Sequence, residues 1–324
     1  VTAGRETMRV SYYPDVDLRG SARPAVTLGN FDGVHLGHQR AFALLQERAR
    51  ELQAPSVAVT FEPHPVSVLR PEHAPKRILT PKLKQELIAA HSIDHLVVIH
   101  FTQEFSRIPA EEFVRLVLVS KLQVAELVLG ANFRFGRGRE GHLESLRKLG
   151  EKFGFVVHQV EAAEHKGEII SSSRIRRSLE EGAVDEAAAM LGRPYFCEGD
   201  VVRGDGRGKL MGFPTANLKV DGDVLVADGV YVTEATVAGA TVAGMAHVGR
   251  RPTFGLEERT VETHLFDFDR DLYDARIRLH FHHRIRGTVR FSSAEALQEQ
   301  LRLDREEAQG FLRALRTRRR NLVV

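Results

Sequence analysis

Between Ala25 and about Gly192, short apolar runs alternate with stretches of helical spacing, the runs being Ala25–Leu28, 57–61, 96–99, 127–129 and 155–157. That alternation predicts a parallel sheet wrapped by helices. The helix after the first run is legible residue by residue. His38, Phe42, Leu45, Ala49 and Leu52 recur at steps of four and three, which places them on one inward stripe. His38 therefore opens that helix on its protein-facing side.

Past Gly192 the rhythm changes. From Phe196 to Phe281 short strand-like segments are separated by turn residues, and Ala275, Ile277, Leu279 and Phe281 alternate with Arg276, Arg278 and His280 as a half-buried strand requires. Helical spacing returns after Ser293, through Ala296, Leu297, Leu301, Phe311, Leu312 and Leu315. The expected organisation is an α/β domain over 1–190 and a small antiparallel β-barrel with a terminal helix over 191–324.

Composition narrows the class. The chain has 324 residues, 43% hydrophobic and 27% charged, enough for two ordinary cores. No apolar run approaches the roughly eighteen residues of a membrane span, and Arg5, Glu6 and Arg9 leave no apolar signal core ahead of Tyr12. The single cysteine, Cys197, can form no disulfide within the chain, so a cytoplasmic protein is expected. The formal charge of +3 admits a nucleic-acid partner in principle. However, the basic cluster Arg313, Arg316, Arg318, Arg319 and Arg320 carries no interleaved aromatics, and it reads as a solvated helix end. The expected partners are small phosphate compounds, with no nucleic acid and no membrane, for a monomer or weak homo-oligomer.

Residues 29–38 read GNFDGVHLGH, between a buried strand and the start of a helix. Backbone amides and the helix dipole make such a turn an anion site. Gly29, Gly33 and Gly37 let the backbone come close to a ligand, and His35 and His38, three apart, can both donate hydrogen bonds to one phosphate. Asp32, His35 and His38 also fit a metal-ligand spacing, and the glycines alone fit a sharp turn; the metal reading leaves the glycines unexplained. No lysine followed by serine or threonine is present, so this is not the P-loop of nucleotide kinases.

The same ten residues resemble the HxGH signature of nucleotidylyltransferases, and in their longer form the amino-terminal half of bacterial bifunctional riboflavin kinase/FAD synthetases. Segments 60–65 (TFEPHP), 130–136 (GANFRFG) and 170–176 (ISSSRIR) follow in that family's order. The resemblance implies a Rossmann-like nucleotidylyltransferase fold that joins FMN to AMP. It implies that His35 and His38 bind the ATP phosphates, with Asn30, Phe31 and Asp32 in the same turn. It further implies that His64, Pro65 and Asn132 line the flavin side, and that Ser172, Ser173 and Arg176 grip the triphosphate. A serine run before a helix also serves as a simple cap.

A second glycine-rich segment, 204–218, reads GDGRGKLMGFPTANL. Gly204, Gly206, Gly208, Arg207 and Lys209 describe a basic loop whose amides can form an anion nest, or a mobile hairpin without a ligand. Thr215 and Asn217 fall on one face of an extended segment, where a hydroxyl and an amide oxygen suit hydrated Mg2+. This stretch is similar to the riboflavin kinase signature, as are 229–231 (GVY), 248–254 (VGRRPTF) and 261–273 (VETHLFDFDRDLY). In that family the threonine and asparagine hold magnesium and ATP, and the residue matching Glu262 is the base. Relatives often carry a proline–acid pair where this chain has Gly287 and Thr288, while Phe291 and Asp304 keep their places. The resemblance implies riboflavin to FMN, then FMN to FAD, with ATP as co-substrate. A nucleotidylyltransferase for another acceptor, and a flavin-binding protein without catalysis, are the competing readings.

Overall fold

A computed structural model describes residues 7–18, 22–204, 208, 212–253 and 256–321, without the side chains of 251–253, 256–258 and 319–321. The chain divides into two compact units, Val1–Ser172 and Ser173–Val324.

The first unit is built on six strands: β1 (Arg9–Tyr13), β2 (Ala25–Leu28), β3 (Ser56–Glu62), β4 (His95–His100), β5 (Glu126–Gly130) and β6 (Val156–Val160). They pair in parallel in the order β1-β4-β3-β2-β5-β6. β2 to β5 are buried on both faces, hence their unbroken apolar runs. Helix α1 (Leu36–Glu51) buries Ala41, Phe42, Leu45 and Ala49, the stripe its spacing predicts. Two short helices follow β3: α2 (Pro65–Leu69) and α3 (Pro81–Ala90), the latter capped by Thr80 Oγ1, which accepts from the Leu83 N–H, with Pro81 at its first position.

After α4 (Gln103–Ser106), helix α5 (Ala110–Phe113) runs on as a π-helix over Val114–Lys121, and the Leu122 N–H donates to Val117 O. This segment and α6 (Leu143–Phe153) put Phe113, Val117, Leu118 and Leu146 against Val26, Val57, Val97 and Leu127 of the sheet. A short hairpin, β7 (Glu164–His165) and β8 (Glu168–Ile169), precedes α7 (Ser172–Glu180).

The second unit contains α8 (Val184–Leu191) and six antiparallel strands: β9 (Tyr195–Val202), β10 (Ala216–Val220), β11 (Gly229–Val237), β12 (Ala240–Thr253), β13 (Leu256–Leu265) and β14 (Arg276–Arg286). They close into a barrel in the order β10-β13-β12-β11-β14-β9, with β9 pairing back to β10. Ile277, Leu279 and Phe281 are fully buried, as the alternation along β14 requires. Helix α9 (Ala294–Asn321) lays Ala308 and Leu312 on Val232, Met245 and Phe266 of the barrel wall. Arg313, Arg316 and Arg318 are exposed on its last turns.

Candidate active sites

In the first unit the chain crosses the sheet in one direction from β2 to β3 and β4, and in the other through β5 and β6. Ligands of open α/β sheets bind at the carboxyl ends of strands beside such a reversal. Three sequence motifs sit at those ends: 29–38 follows β2, His64 and Pro65 follow β3, and Asn132 follows β5.

The turn after β2 is strained. Phe31 and Val34 have φ of 50° and 42° beside Gly33 at 85°, and such positions cost about 1–3 kcal/mol each for residues with a Cβ. Two anchors hold it. The buried Asp32 carboxylate accepts the Ile78 and Leu79 N–H groups at 3.1 and 3.2 Å, and the Ser172 hydroxyl donates to Asp32 O at 2.9 Å. The Phe31 ring lies over Gly29, where a Cβ would come within 2.7 Å, and it packs on Phe42 and edge-on to His38. Phe31 therefore contributes its side chain to the core and only its backbone to the turn.

His35, the residue preceding α1, and His38 stack with ring centroids 3.6 Å apart and planes 19° from parallel. His38 is held neutral: burial first, then the neighbouring His35 and Lys84, push its pKa well below the ordinary imidazole value. Its Nδ1 is sealed from solvent and has no hydrogen-bond partner among the described residues. The motifs after β2 and β3 meet directly, since the Asn30 side-chain amide is 3.2 Å from His64 Nε2. His64 Nδ1 accepts the Val66 N–H at 3.2 Å, which caps α2 and fixes the ring beside Pro65. Asn132 is exposed in the turn after β5, and Ser173 and Arg176 lie on α7 in the second unit.

Sequence spacing misses Lys84. Its Nζ reaches Glu62 Oε1, Thr60 Oγ1 and Asn30 O. The available signal is a lysine inside the inward stripe of α3, between Leu83 and Ile88.

In the second unit the candidate residues stand on the strands themselves. Register pairs Asn217 with Glu262, and Glu262 with His247 on its other side, so the three share one face of β10, β13 and β12. Alternation puts that face on the side of Met245 and Val232, which α9 covers. His247, one residue ahead of the VGRRPTF motif, has its pKa lowered chiefly by burial, against the raising influence of Glu262.

Thr215 and Asn217 border a cradle that only glycine leaves open. A Cβ on Gly208 would clash with the Phe213 carbonyl and sit 3.3 Å from Thr215 Oγ1, and one on Gly204 would overlap the Asn217 amide. The residues fit a small hydrated cation approached by backbone, because both side chains offer neutral oxygens. Gly206, Arg207 and Lys209 lie outside the described residues. Beyond β14, Arg286 forms a bidentate pair with the buried Asp304, at 2.7 to 3.0 Å, and its guanidinium lies 5.6 Å from the Phe291 ring centre. Gly287 O accepts from the same guanidinium, and Thr288 is exposed.

Comparison with known proteins matches a different family model to each half of the chain. The FAD synthetase family model matches residues 19–174 and the riboflavin kinase model residues 191–312. A bifunctional riboflavin kinase/FMN adenylyltransferase from Pseudomonas fluorescens is 37% identical over 89% of this chain and 93% of its own. The protein of that description from Escherichia coli strain K12 is 35% identical over 88% and 92%. A crystal structure described as a macrolide-efflux protein from Streptococcus pneumoniae superposes with TM-score 0.87 at 31% identity, covering 93% of this chain and 99% of that one. The efflux description belongs to that protein; among the described residues here, no helix is long and apolar enough to cross a membrane. With both family models in order and relatives matched almost end to end, the chain belongs to the bifunctional riboflavin kinase/FMN adenylyltransferase family.

Proposed function

We propose that the two units divide the chemistry of FAD synthesis along the functional boundary 1–190 and 191–324, with Ser172, Ser173 and Arg176 gripping the triphosphate in the adenylylation reaction. In the second unit Glu262 takes the proton from the terminal ribityl hydroxyl of riboflavin as that oxygen attacks the γ-phosphorus of ATP, giving FMN and ADP. Asn217 beside it in register and Thr215 would hold Mg2+, whose chemistry is to neutralise charge on the phosphate oxygens. Gly204, Gly206, Arg207, Gly208 and Lys209 cover the triphosphate.

In the first unit an oxygen of the FMN phosphate attacks the α-phosphorus of a second ATP, forming the new P–O bond as pyrophosphate leaves. No protein nucleophile is needed, and the task is alignment and charge neutralisation. His35 and His38 present their imidazoles to the phosphates, the amides of the turn add donors, and His64, Pro65 and Asn132 receive the flavin. The protein acts on small molecules in the cytoplasm, as a monomer or weak homo-oligomer with no nucleic-acid partner.

The observation that carries this reading is the meeting of Asn30 with His64, which joins two of the adenylyltransferase motifs in one unit while Asn217 and Glu262 pair in the other. Incubation of the full chain with riboflavin, ATP and Mg2+, followed by separation of the three flavins, tests it. FMN should accumulate first and FAD follow; absence of both products sinks the reading.

A further inference from the structure

Helix α3 carries a lysine where its pattern calls for an apolar side chain. Lys84 lies between Leu83 and Ile88 on the inward face and is 6% exposed. A buried ammonium persists only where other oxygens replace its water. Lys84 has three: Glu62 Oε1 at 2.5 Å, Thr60 Oγ1 at 3.1 Å and the Asn30 carbonyl at 3.3 Å. Three acceptors match the three N–H bonds of the group.

The partners are not scattered. Thr60 and Glu62 end the strand that leads into His64, and Asn30 begins the turn that leads into His35 and His38. The Thr60 hydroxyl donates to the same Asn30 carbonyl at 3.3 Å, so that one oxygen is gripped twice. Arg77 holds the other oxygen of Glu62 at 3.2 Å, which fixes the carboxylate from a second side.

We propose that Lys84 is a positioning residue for adenylyl transfer: it ties the strained turn after β2 to the end of β3, and so sets the imidazoles that receive phosphate relative to the ring that receives flavin. It acts through the Asn30 carbonyl and the Glu62 carboxylate. Its positive charge also contributes to keeping His38 neutral, consistent with a ring that donates a hydrogen bond without carrying charge. The inference rests on reading the first unit as the adenylyltransferase, with His35 and His38 at the phosphates.

The test uses the full chain with K84M, K84R and the double variant K84M/E62Q, which removes both charges together. FAD synthesis from FMN and ATP is followed at steady state, with riboflavin phosphorylation by the same protein and thermal unfolding alongside. K84M should lower kcat for FAD synthesis about 10²-fold, the scale of a misplaced reacting group, with KM for FMN and ATP within about threefold. K84R should recover part of kcat, riboflavin phosphorylation should be unchanged, and the double variant should regain stability but not rate.

Three results would overturn the inference. Folded K84M keeping kcat within about twofold of the parent is a loss too small for lost alignment. Rate and stability could return together in K84M/E62Q, which would reduce Lys84 to a counter-ion for Glu62. Loss of the first unit's unfolding transition in both variants would make it a scaffold residue. H38A separates the two levels of argument: if it leaves FAD synthesis intact, the reading of the site itself fails whatever Lys84 shows.

Discussion

The two units solve one problem, seating ATP beside a flavin, with opposite use of their sheets. In the first, the candidate groups follow the carboxyl ends of parallel strands, Asn30 after β2 and His64 after β3, with Lys84 of α3 reaching Asn30 from a separate stretch of chain. In the barrel every strand is paired on both sides, so no row of strand ends gathers loops beside a topological reversal, and Asn217, Glu262 and His247 stand side by side on the wall through register. Precision in the first unit depends on side-chain ties that hold a strained turn, whereas in the second it is set by the backbone ladder.

This contrast is open to experiment, most sharply at the reacting groups. E262Q should cut riboflavin phosphorylation by about 10²–10⁴-fold, the usual share of a general base, and leave FMN adenylylation intact. H38A should do the reverse, by about 10²–10³-fold, as for loss of one donor to developing charge. Chromatography of reactions started from riboflavin or from FMN reads both; a variant that lowers the two rates together would break the division of labour.

D304A comes next. Asp304 is 1% exposed and bonds both Arg286 and Gln300. Leaving Arg286 without its carboxylate should cost the barrel about 3–5 kcal/mol, seen as a lowered Tm for that unit with FMN adenylylation retained. G204A is smaller: the added methyl overlaps the Asn217 amide, and overpacking of about 1–3 kcal/mol should lower kcat/KM for riboflavin phosphorylation about tenfold. An unchanged rate would show that Asn217 does not need its present place.

The smallest effect is shared by both units. Burial is the first cause of a lowered pKa at His38 and His95 in one and at His247 and His264 in the other. Unfolded rings take up protons near about pH 6.5, while the folded ones hold them off until lower pH. Between those values the unfolded state binds more protons, so stability falls as pH drops from 7 toward 5. The slope is at most about 1.4 kcal/mol per pH unit for each ring. Urea unfolding at pH 7 and 5.5 should show the loss in both units, and H38Q should reduce it in the first alone.

Much of this architecture was legible because burial writes itself into spacing. β2 to β5 appear as apolar runs, α1 as a single stripe, and β14 as alternation from Arg276 to Phe281. β1 escapes because Arg9–Tyr13 is an edge strand with exposed and half-buried side chains, held by pairing with β4 rather than by a core face. The π-helical stretch escapes too, since its i to i+5 bonding leaves no distinct period.

In the sites, the i, i+3 relation of His35 and His38 foretells neighbours but not a stacked pair at 3.6 Å. Lys84 is invisible from its own surroundings because its partners lie 22, 24 and 54 residues away. Only the folded sheet brings those positions together.

Closure of the barrel also governs how this molecule meets copies of itself in a crowded solution. A ring of strands offers no open ladder of N–H and C=O groups, so the carboxy-terminal half cannot template intermolecular β-pairing while it is intact. Among the described residues the amino-terminal sheet ends on β1 and β6, where Tyr12 and Val156 are more than half exposed. Those two borders are where aggregation on mild heating is expected to start, and a lysine or proline placed there should suppress it.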